Sequence, residues 1–365
     1  MPLIRTFHPI GQGAFYSESH SFTGIEFNII YDCGSTTLRR TQLDSRIKSF
    51  FNKNQSIDAL FISHFHTDHI SGIETLSKHC KIKKVIIPLL HDEEKTMAKI
   101  VNFLNNSNFS DTRLIDDPED FFGGDVPIIR IEETNADSIN DNIDPNDSID
   151  ISRIDFSRSL PSGTMFELVS GSSWFLIPLN YKQEERKVRF KTALANYGLT
   201  LSDISTIDKI NKYKDTIVKA YRLIDGSLNG NSMILFSGKK SDDQILCCDY
   251  LQPSYLHRYL NQKIQSGCLY MGDIDLNEKN IVTSLHSKLN PFINYVGTIQ
   301  IPHHGSLKNF NKAILSSQVR CAIFSYGERN HYGHPSGKVI GDIVSHNIRP
   351  HYVTEEQASM VIQFK

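Results

Sequence analysis

The feature that most constrains the fold is a histidine-rich motif that directly follows a short apolar run. The run is Ala59–Ser63, and the motif, with the sequence HFHTDH, is His64–His69. A short continuous apolar run is typical of a strand buried on both faces, as in the parallel sheets of α/β folds. Open α/β sheets bind their ligands beyond the ends of such strands. The motif therefore predicts an α/β fold with a functional site at the end of this strand.

The spacing within the motif predicts two metal sites. His64 and His66 alternate, so in an extended backbone both side chains point to one side and can bind the same ion. Asp68 and His69 fall at the turn into the following helix, where their side chains point in another direction. Two-metal hydrolases hold their ions about 3.5–4 Å apart, so this second pair can bind a neighbouring ion. A polar turn with chance histidines is the alternative interpretation.

The composition is that of a globular protein and excludes a disordered or fibrous chain. The 365 residues include 39 Lys and Arg, 41 Asp and Glu, and 15 His, and the formal net charge is −2 at pH 7. This balance provides no overall attraction to nucleic acid and leaves only a local basic groove as a binding surface. The length fits one large domain with an insertion, or two domains.

The sequence predicts a cytoplasmic protein that does not insert into a membrane. No apolar run approaches the roughly 20 residues that span a bilayer, and the first residues lack the basic-then-apolar pattern of a signal peptide. The cysteines have no CxxC spacing, which favours reduced thiols buried mostly in strands. These cysteines are Cys33, Cys80, Cys247, Cys248, Cys268 and Cys321.

Two strand-rich halves flank a variable middle segment. Apolar runs alternate with amphipathic segments in the first half, and further apolar runs follow residue 231. This pattern predicts two packed sheets with helices outside them, in one domain whose core is about 1–105 and 228–365. Residues 106–227 are interpreted as an insertion with an acidic polar stretch, core strands and a charged helical segment. A further helix is predicted at Gln252–Gln265.

Two later apolar runs also end in residues that can bind metal. Asp273 follows the run Gly267–Gly272, and a carboxylate at that place can bridge two ions. His303 and His304 follow the run Thr298–Ile301, and one of them is expected to bind metal. We favour His303 as this ligand. His304 is then expected to hold a carboxylate or a substrate phosphate.

A fourth element, Asn330–Ser336, contains a His-Pro pair at the predicted start of a helix. His334 in this pair can donate a proton or bind a phosphate. It is therefore predicted to face the substrate and to take part in catalysis, and His304 and Ser306 are predicted to bind the substrate with it.

These four elements, in this order, resemble the metallo-β-lactamase superfamily. The segments IPHHGS at 301–306 and NHYGHPS at 330–336 are similar to the hydrolase domain of ComEC-type competence proteins and their stand-alone relatives. Three shorter segments carry the same resemblance: IGQGA at 10–14, YDCGS at 31–35 and NSMIL at 231–235. The resemblance covers roughly residues 1–90 and 228–365.

The resemblance implies an αββα sandwich, with the polar and helical insertion in the middle of the chain and the metal site at one edge of the paired sheets. It also implies two divalent ions, zinc or, as the alternative, manganese. Matched by motif, the ligands are His64 and His66 for the first ion, Asp68, His69 and His303 (or His304) for the second, and Asp273 as the bridge.

The same resemblance makes Asp68 a predicted catalytic residue, because it would orient a metal-bound hydroxide as the nucleophile. The chain departs from the superfamily in one respect that bears on the metal count. No additional histidine ligand is evident between the motif and Asp273. A site that works with a single ion is therefore the alternative.

The leading predicted function is a metal-dependent phosphodiesterase, and more specifically a nuclease that contacts the nucleic-acid backbone rather than the bases. It rests on the family resemblance and on the predicted phosphate contacts described above. One alternative is hydrolysis of a small molecule, such as a cyclic nucleotide or a thioester. Another is a subunit of a larger defence or mobile-element assembly, with a protein partner bound through residues 183–225.

Overall fold

Most of the apolar runs in the sequence form strands, and the amphipathic segments between them form helices. A computed structural model of the protein describes residues 2–22, 24–106, 109–137, 147–182, 184–224, 232–249 and 262–365. In these residues the strands are β1 (Leu3–Phe7), β2 (Gly13–Phe22), β3 (Ile25–Ser35), β4 (Ser56–Ile57), β5 (Ala59–Phe61), β6 (Lys81–Ile82), β7 (Val85–Pro88), β8 (Ile128–Ile131), β9 (Ile149–Asp150), β10 (Arg158–Leu160), β11 (Phe166–Glu167), β12 (Trp174–Leu179), β13 (Ile234–Lys239), β14 (Gln244–Asp249), β15 (Gln262–Gln265), β16 (Gly267–Tyr270), β17 (Val296–Gln300), β18 (Cys321–Ser325), β19 (Arg349–Val353) and β20 (Val361–Phe364). The α-helices are α1 (Arg40–Phe50), α2 (Thr67–Ile70), α3 (Ile73–His79), α4 (Asp92–Asn105), α5 (Arg113–Asp116), α6 (Pro118–Phe122), α7 (Glu185–Ala195), α8 (Ile207–Lys212), α9 (Lys214–Arg222), α10 (Ile281–Lys288) and α11 (Gly337–Ser345).

The strands form two large sheets and one small one. The first sheet has the order β10-β8-β7-β5-β3-β2-β1-β20-β14-β15, the second has the order β19-β18-β17-β16-β13-β12-β11-β9, and β4 pairs with β6. Strands β3, β5, β7, β8 and β10 are parallel in the first sheet, and β16 to β19 are parallel in the second. Because parallel strands end at the same edge of a sheet, the residues after β5, β16 and β17 are brought to common edges.

The side chains of the two sheets interdigitate in one apolar layer, and helices cover the outer faces. The layer between the sheets includes Tyr16, Tyr31, Phe61, Leu235 and Tyr270. A second buried cluster packs α1 and α3 on the outside of the first sheet, and a third packs α10 and α11 on the outside of the second. The predicted fold class, a mixed α/β sandwich with helices outside, is therefore confirmed.

The middle segment contributes to both sheets. Its strands β8 and β10 extend the first sheet, and β9, β11 and β12 extend the second. Its helices α7, α8 and α9 pack against α4 through a separate buried cluster that includes Ile100, Phe103, Phe190, Leu194 and Ile217. The interpretation of residues 106–227 as an insertion into a single domain stays a prediction.

One predicted helix is wrong where the structure describes it. Of the proposed helix Gln252–Gln265, residues 252–261 lie outside the described residues, and Gln262–Gln265 form β15, which pairs antiparallel with β14. Strand β14 exposes backbone N–H and C=O groups that β15 pairs, and these hydrogen bonds outweigh the helix propensity of the segment.

Within the described residues, each helix is too short or too polar to cross a bilayer.

A row of buried polar side chains crosses the first sheet and faces the second. Glu18, Arg5, Gln363 and Cys247 are successive cross-strand neighbours on β2, β1, β20 and β14, and we call them the polar row. Arg5 Nε donates to Glu18 Oε1 at 2.7 Å, and Arg5 Nη1 donates to Gln363 Oε1 at 3.0 Å. On the second sheet, Ser237 Oγ donates to Glu18 Oε2 at 2.6 Å. The polar row therefore joins the two sheets through directional hydrogen bonds inside an apolar layer.

Breaking the Arg5–Glu18 ion pair of the polar row should lower the free energy of unfolding by several kcal/mol. Burial alone would raise the pKa of Glu18. The nearby Arg5 and His20 lower it by a larger amount, so the pKa of Glu18 lies below its ordinary value. Glu18→Ala leaves the Arg5 guanidinium buried without its partner, so we expect the free energy of unfolding to fall by about 3–5 kcal/mol at pH 7 in urea titrations. Because the folded-state pKa is lowered, this difference should shrink as the pH falls below the unfolded value of about 4.3.

The matched control for this variant is Glu26→Ala, which removes an exposed carboxylate from the same sheet. Its effect on the free energy of unfolding should stay within about 0.5 kcal/mol. An equal change in the two variants at pH 7 would show that the buried pair contributes nothing beyond an ordinary surface charge.

Candidate metal centre

The histidine-rich motif lies at the end of β5, where the chain leaves the first sheet. Its first residues are extended, and Thr67–Ile70 form α2 with Asp68 and His69 on its first turn. His64, His66 and His69 are each at most 5% exposed. Histidines buried to this extent need partners for their ring nitrogens, so the surroundings of these atoms decide their role.

Two residues from the second sheet meet the motif. Asp273 follows β16, and His304 follows the neighbouring parallel strand β17, so both leave their sheet at the same edge. Gly272, with φ of +51°, allows the close approach, because a Cβ at this position would lie 2.2 Å from Ser232 Oγ and 2.9 Å from Ser63 Cβ. The absence of a side chain at residue 272 therefore lets the ends of the two sheets come together.

The potential ligand atoms form two groups, and Asp273 belongs to both. Within each group the atoms lie within 4.8 Å of one another; one group is His64, His66 and Asp273, and the other is Asp68, His69, Asp273 and His304. Asp273 Oδ2 lies 3.8 Å from His64 Nε2, and Asp273 Oδ1 lies 3.2 Å from His69 Nε2. The two oxygens of this carboxylate thus face different groups, which is the arrangement of a ligand that bridges two ions.

Hydrogen bonds orient three of the histidines in the same way. Each of their Nδ1 atoms faces a hydrogen-bond acceptor outside the two groups, so each Nε2 faces inward, and loss of its proton would make its lone pair available to a cation. The pairs are His69 Nδ1 with Asp32 Oδ2 at 2.8 Å, His64 Nδ1 with Ser63 Oγ at 2.9 Å, and His304 Nδ1 with Ser325 O at 2.8 Å. Ser63 Oγ accepts from His64 because its own hydrogen is donated to Asp32 Oδ2 at 2.6 Å.

The residues fit divalent metal ions. His64 Nε2 is buried and has no hydrogen-bond partner among the described residues. An unsatisfied buried polar atom costs about 1–3 kcal/mol, and a bound cation would remove that cost. Imidazole nitrogen and carboxylate oxygen are ligands that suit Zn²⁺ and Mn²⁺, and neither group contains a thiolate.

The charges around the two groups also favour cations. Burial lowers the pKa of His69, but the carboxylates of Asp273, Asp68 and Asp32 outweigh it and raise this pKa well above the ordinary value. Burial raises the pKa of Asp68, but His69 and a hydrogen bond with His304 bring it below the ordinary value. The pKa of Asp273 is also below its ordinary value, because the nearby His303, His69 and His304 outweigh its burial. Asp68 and Asp273 are therefore ionised near neutral pH, and their negative charge attracts positive ions.

The structure brings His304, not His303, into the second group. His304 Nε2 lies 3.1 Å from Asp68 Oδ2 and 3.9 Å from Asp273 Oδ1. His303 Nε2 lies 3.8 Å from Asp273 Oδ2, but its side chain is 21% exposed and its ring packs against that of His334 at 5.8 Å. The expected roles of these two neighbours are thus exchanged in the geometry, with His304 inward and His303 toward the cleft.

Left-handed backbone at three residues produces this arrangement. The φ angles are +56° at Asp32, +49° at His303 and +58° at His304. Residues other than glycine rarely adopt this conformation, and those that do cluster at functional sites. Because His303 and His304 are both left-handed, the chain after β17 turns sharply and directs their side chains in different directions.

The two groups lie at the floor of an open cleft of about 470 Å³. Its walls include His303, His334, Ser306 and Lys308, together with the exposed aromatic ring of Tyr332. The three predicted substrate-binding residues, His304, Ser306 and His334, all line this cleft. Burial, then the nearby His303 and His304, lower the pKa of His334 to about 4, so its imidazole is neutral near pH 7.

Three residues of the site were not predicted from the sequence. Asp32, Ser63 and Ser232 support the ligands from behind: Asp32 accepts from Ser63 N at 2.7 Å, and Ser232 Oγ accepts from Asp273 N at 3.0 Å. The signal for Asp32 was an acidic residue at the end of a buried apolar strand, inside a segment that was used only as a family resemblance. No histidine joins His64 and His66 as a further ligand among the described residues.

Comparison with known proteins identifies one family model. The model described as the metallo-β-lactamase superfamily matches residues 23–137, which include the histidine-rich motif. No curated protein sequence matches this chain.

The solved structures that match this chain have low sequence identity to it. Zn²⁺-bound PqqB from Methylobacterium extorquens is 7% identical, with a TM-score of 0.42 over 97% of this chain and 98% of that chain. YhfI from Bacillus subtilis is 8% identical, with a TM-score of 0.38 over 97% of each chain. A long-form RNase Z from yeast is 13% identical, with a TM-score of 0.38 over 98% of this chain and 41% of that chain.

Asp32→Asn should weaken metal binding without unfolding the protein. Asparagine tolerates the left-handed backbone at this position, but its amide cannot accept all three hydrogen bonds that Asp32 accepts from Ser63 and His69. Loss of such a supporting carboxylate typically lowers metal affinity about 10- to 100-fold. We expect a change of this size in competition titrations against a chelator.

The control for this variant is Asp58→Asn, which changes another buried carboxylate, between β4 and β5. Asp58 accepts from Asn28 N at 2.8 Å and pairs with Lys83 at 2.6 Å, away from the metal ligands. Unchanged affinity in Asp32→Asn, or an equal loss in both variants, contradicts the supporting role of Asp32.

Proposed function

We propose that the protein is a metal-dependent hydrolase of the metallo-β-lactamase superfamily that cleaves phosphodiester bonds. The observation that carries the proposal is the pair of ligand groups that share Asp273 at the floor of an open cleft. The match of the family model over residues 23–137 supports the same class of chemistry. The closer resemblance to ComEC-type proteins stays a prediction.

The proposed metal ligands follow from the geometry of the two groups. His64, His66 and Asp273 would hold one ion, and Asp68, His69, His304 and Asp273 would hold the other, with zinc expected and manganese as the alternative. We therefore assign His304 as a ligand in place of His303, and His303 as a substrate contact. Bound divalent ions supply Lewis acidity at phosphoryl oxygens and lower the pKa of water toward ~7.

The chain's own residues then provide proton handling and orientation. Asp68 is ionised and 18% exposed on its side chain, so its carboxylate can accept a proton from the attacking water. The water oxygen forms a bond to phosphorus, the ester P–O bond breaks, and the proton passes to the departing oxygen. His334 is neutral at pH 7, so it can donate a hydrogen bond to a phosphate oxygen or to the departing oxygen.

The lining of the cleft supports an anionic substrate. Apart from Asp68 and Asp273, the described residues that line it include no carboxylate, whereas Lys308 and several uncharged donors do line it. The phenol rings of Tyr221 and Tyr332 also line the cleft, and Tyr332 is 69% exposed. Aromatic rings beside a phosphate site stack on bases, which favours a nucleic acid or a nucleotide over a simple phosphodiester.

A small-molecule substrate is the second candidate. A cleft of about 470 Å³ lies within the range of roughly 300–1,000 Å³ that is usual for small ligands. A cyclic nucleotide satisfies both this size and the aromatic lining. The thioester alternative finds no thiol- or acyl-binding feature in the described lining, so we rank it lower.

The third candidate, a subunit of an assembly that docks through residues 183–225, has less support. The apolar side chains of α7 to α9 are largely buried against α4. Val188 and Leu223 are exposed, but Val188 lies on α7 and Leu223 directly follows α9. Binding of a protein partner at this segment stays a prediction.

Asp68→Asn should lower the rate of phosphodiester hydrolysis by at least about 100-fold, because general base catalysis contributes roughly 10²- to 10⁴-fold. The measurement is kcat on bis-p-nitrophenyl phosphate with Zn²⁺ or Mn²⁺, followed by single-stranded DNA and a cyclic nucleotide. The faster natural substrate decides between a nuclease and a small-diester hydrolase.

The control for Asp68→Asn is His346→Ala, which removes an exposed histidine at the end of α11. It should leave kcat unchanged. A wild-type protein with full metal occupancy that hydrolyses none of these substrates would sink the phosphodiesterase proposal.

The two adjacent histidines after β17 should separate into a ligand and a substrate contact. His304→Ala should lower the amount of metal bound, because it removes a donor from the second group. His303→Ala should retain the metal and raise KM, because its side chain borders the cleft. Elemental analysis and steady-state kinetics on both variants test this assignment, and metal loss in His303→Ala alone would restore His303 as the ligand.

A further inference from the structure

A second set of potential metal ligands lies inside the sandwich, away from the cleft. Cys247 on β14 belongs to the first sheet, whereas Cys321 on β18 and His351 on β19 belong to the second. Their exposed fractions are 3%, 1% and 4%, and the potential ligand atoms lie within 4.8 Å of one another. None of the three lines the cleft. We call them the intersheet triad.

The strand registers explain why the triad converges. Cys321 is paired with Arg349, so His351 lies two residues further along β19 and presents its side chain to the same face as Cys321. Cys247 is paired with Gln363 at the end of the polar row, whose side chains face the second sheet. The two sheets therefore contribute opposite sides of one small cluster.

The distances match a tetrahedral metal site better than a disulfide. Two sulfurs bound to one tetrahedral zinc at about 2.3 Å lie ~3.8 Å apart. Here Cys247 Sγ is 3.7 Å from Cys321 Sγ and 3.8 Å from His351 Nε2. A disulfide requires an S–S separation of about 2.05 Å, and both cysteines are free thiols.

Hydrogen-bond donors around the sulfurs suit thiolates. Gln363 Nε2 lies 3.5 Å from Cys247 Sγ and 3.5 Å from Cys321 Sγ, within the range of N–H···S hydrogen bonds. The orientation of this amide is fixed, because Arg5 Nη1 donates to its oxygen at 3.0 Å and its nitrogen donates to Thr298 Oγ1 at 2.8 Å. The amide thus turns its remaining N–H, not its oxygen, toward the two sulfurs, as expected beside metal-bound thiolates.

We propose that Cys247, Cys321 and His351 bind a zinc ion that ties the two sheets together. Two thiolates and a neutral imidazole neutralise a divalent ion, so the complex carries no net charge in an apolar interior where isolated charges are costly. A monovalent soft ion would leave one negative charge unbalanced. Thiolate ligands also select zinc over the hard cations. None of the three ligands lines the cleft, so this site does not depend on the proposed hydrolase activity.

Cobalt substitution tests the triad independently of activity. Protein produced in cobalt-supplemented medium should show a sulfur-to-cobalt charge-transfer band in the near ultraviolet. The proposed catalytic ligands are only histidine and aspartate, so cobalt bound there gives no such band. The band should be present in the wild type. It should persist in the double variant Asp68→Ala/His69→Ala, which removes two of the proposed metal ligands at the cleft. Failure of the hydrolase proposal therefore leaves this result unaffected.

Cys247→Ser and Cys321→Ser should abolish the band and lower the zinc content of the purified protein by a single equivalent. Cys80→Ser is the matched control, because Cys80 is also a buried free cysteine but lies at the end of α3 outside the triad. It should retain both the band and the zinc. A band that survives Cys247→Ser overturns the proposal.

If the serine variants do not fold, the wild type alone decides. A wild-type protein without the charge-transfer band overturns the proposal, as does copper in place of zinc or a Cys247–Cys321 disulfide found by mass spectrometry. A band accompanied by chelator-dependent exposure of two additional thiols to a thiol reagent supports it.

Discussion

The structure depends on the way in which two large sheets are held in one relative position. An apolar layer alone tolerates sliding, because hydrophobic contact is not directional. The polar row adds directional bonds: Arg5 joins Glu18 to Gln363 within the first sheet, and Ser237 reaches Glu18 from the second. The potential metal ligands come from both sheets, so distances of a few ångströms between them require that the sheets do not shift. A buried ion pair that does not line the cleft thus helps to determine the geometry of the cleft.

The candidate metal centre is organised from behind by groups that do not face the cleft. Asp32, within β3, accepts hydrogen bonds from Ser63 and His69, and Ser63 in turn accepts one from His64. The backbone carbonyl of Ser325 holds His304 in the same way. Each of these contacts occupies Nδ1 of a histidine and leaves its Nε2 to bind a metal ion. Hydrogen bonds within the chain therefore direct the Nε2 atoms inward without the help of a bound ion.

The sequence predicted those parts of the site that are set by local spacing. The alternation of His64 and His66 is visible within one short segment. The fold class of two sheets with outer helices follows from the apolar or amphipathic pattern that each segment shows by itself. The choice between His303 and His304 could not be predicted, because it depends on two successive left-handed residues. Asp32 was missed because a lone acidic residue at a strand end has many roles. The strand β15 was missed because its partner β14, not its own pattern, determines its conformation.

The division of the ligands between the two sheets also affects how the protein is made. His64 to His69 leave the ribosome well before Asp273 and His304, and the strands that precede these later residues, β16 and β17, belong to the second sheet. During synthesis the early histidines are therefore part of an unfinished sheet, with neither the bridging carboxylate nor a cleft around them. Binding of metal ions by both ligand groups therefore requires that the chain is nearly complete. The nascent protein therefore cannot bring the two ligand groups together until the strands of both sheets have been made.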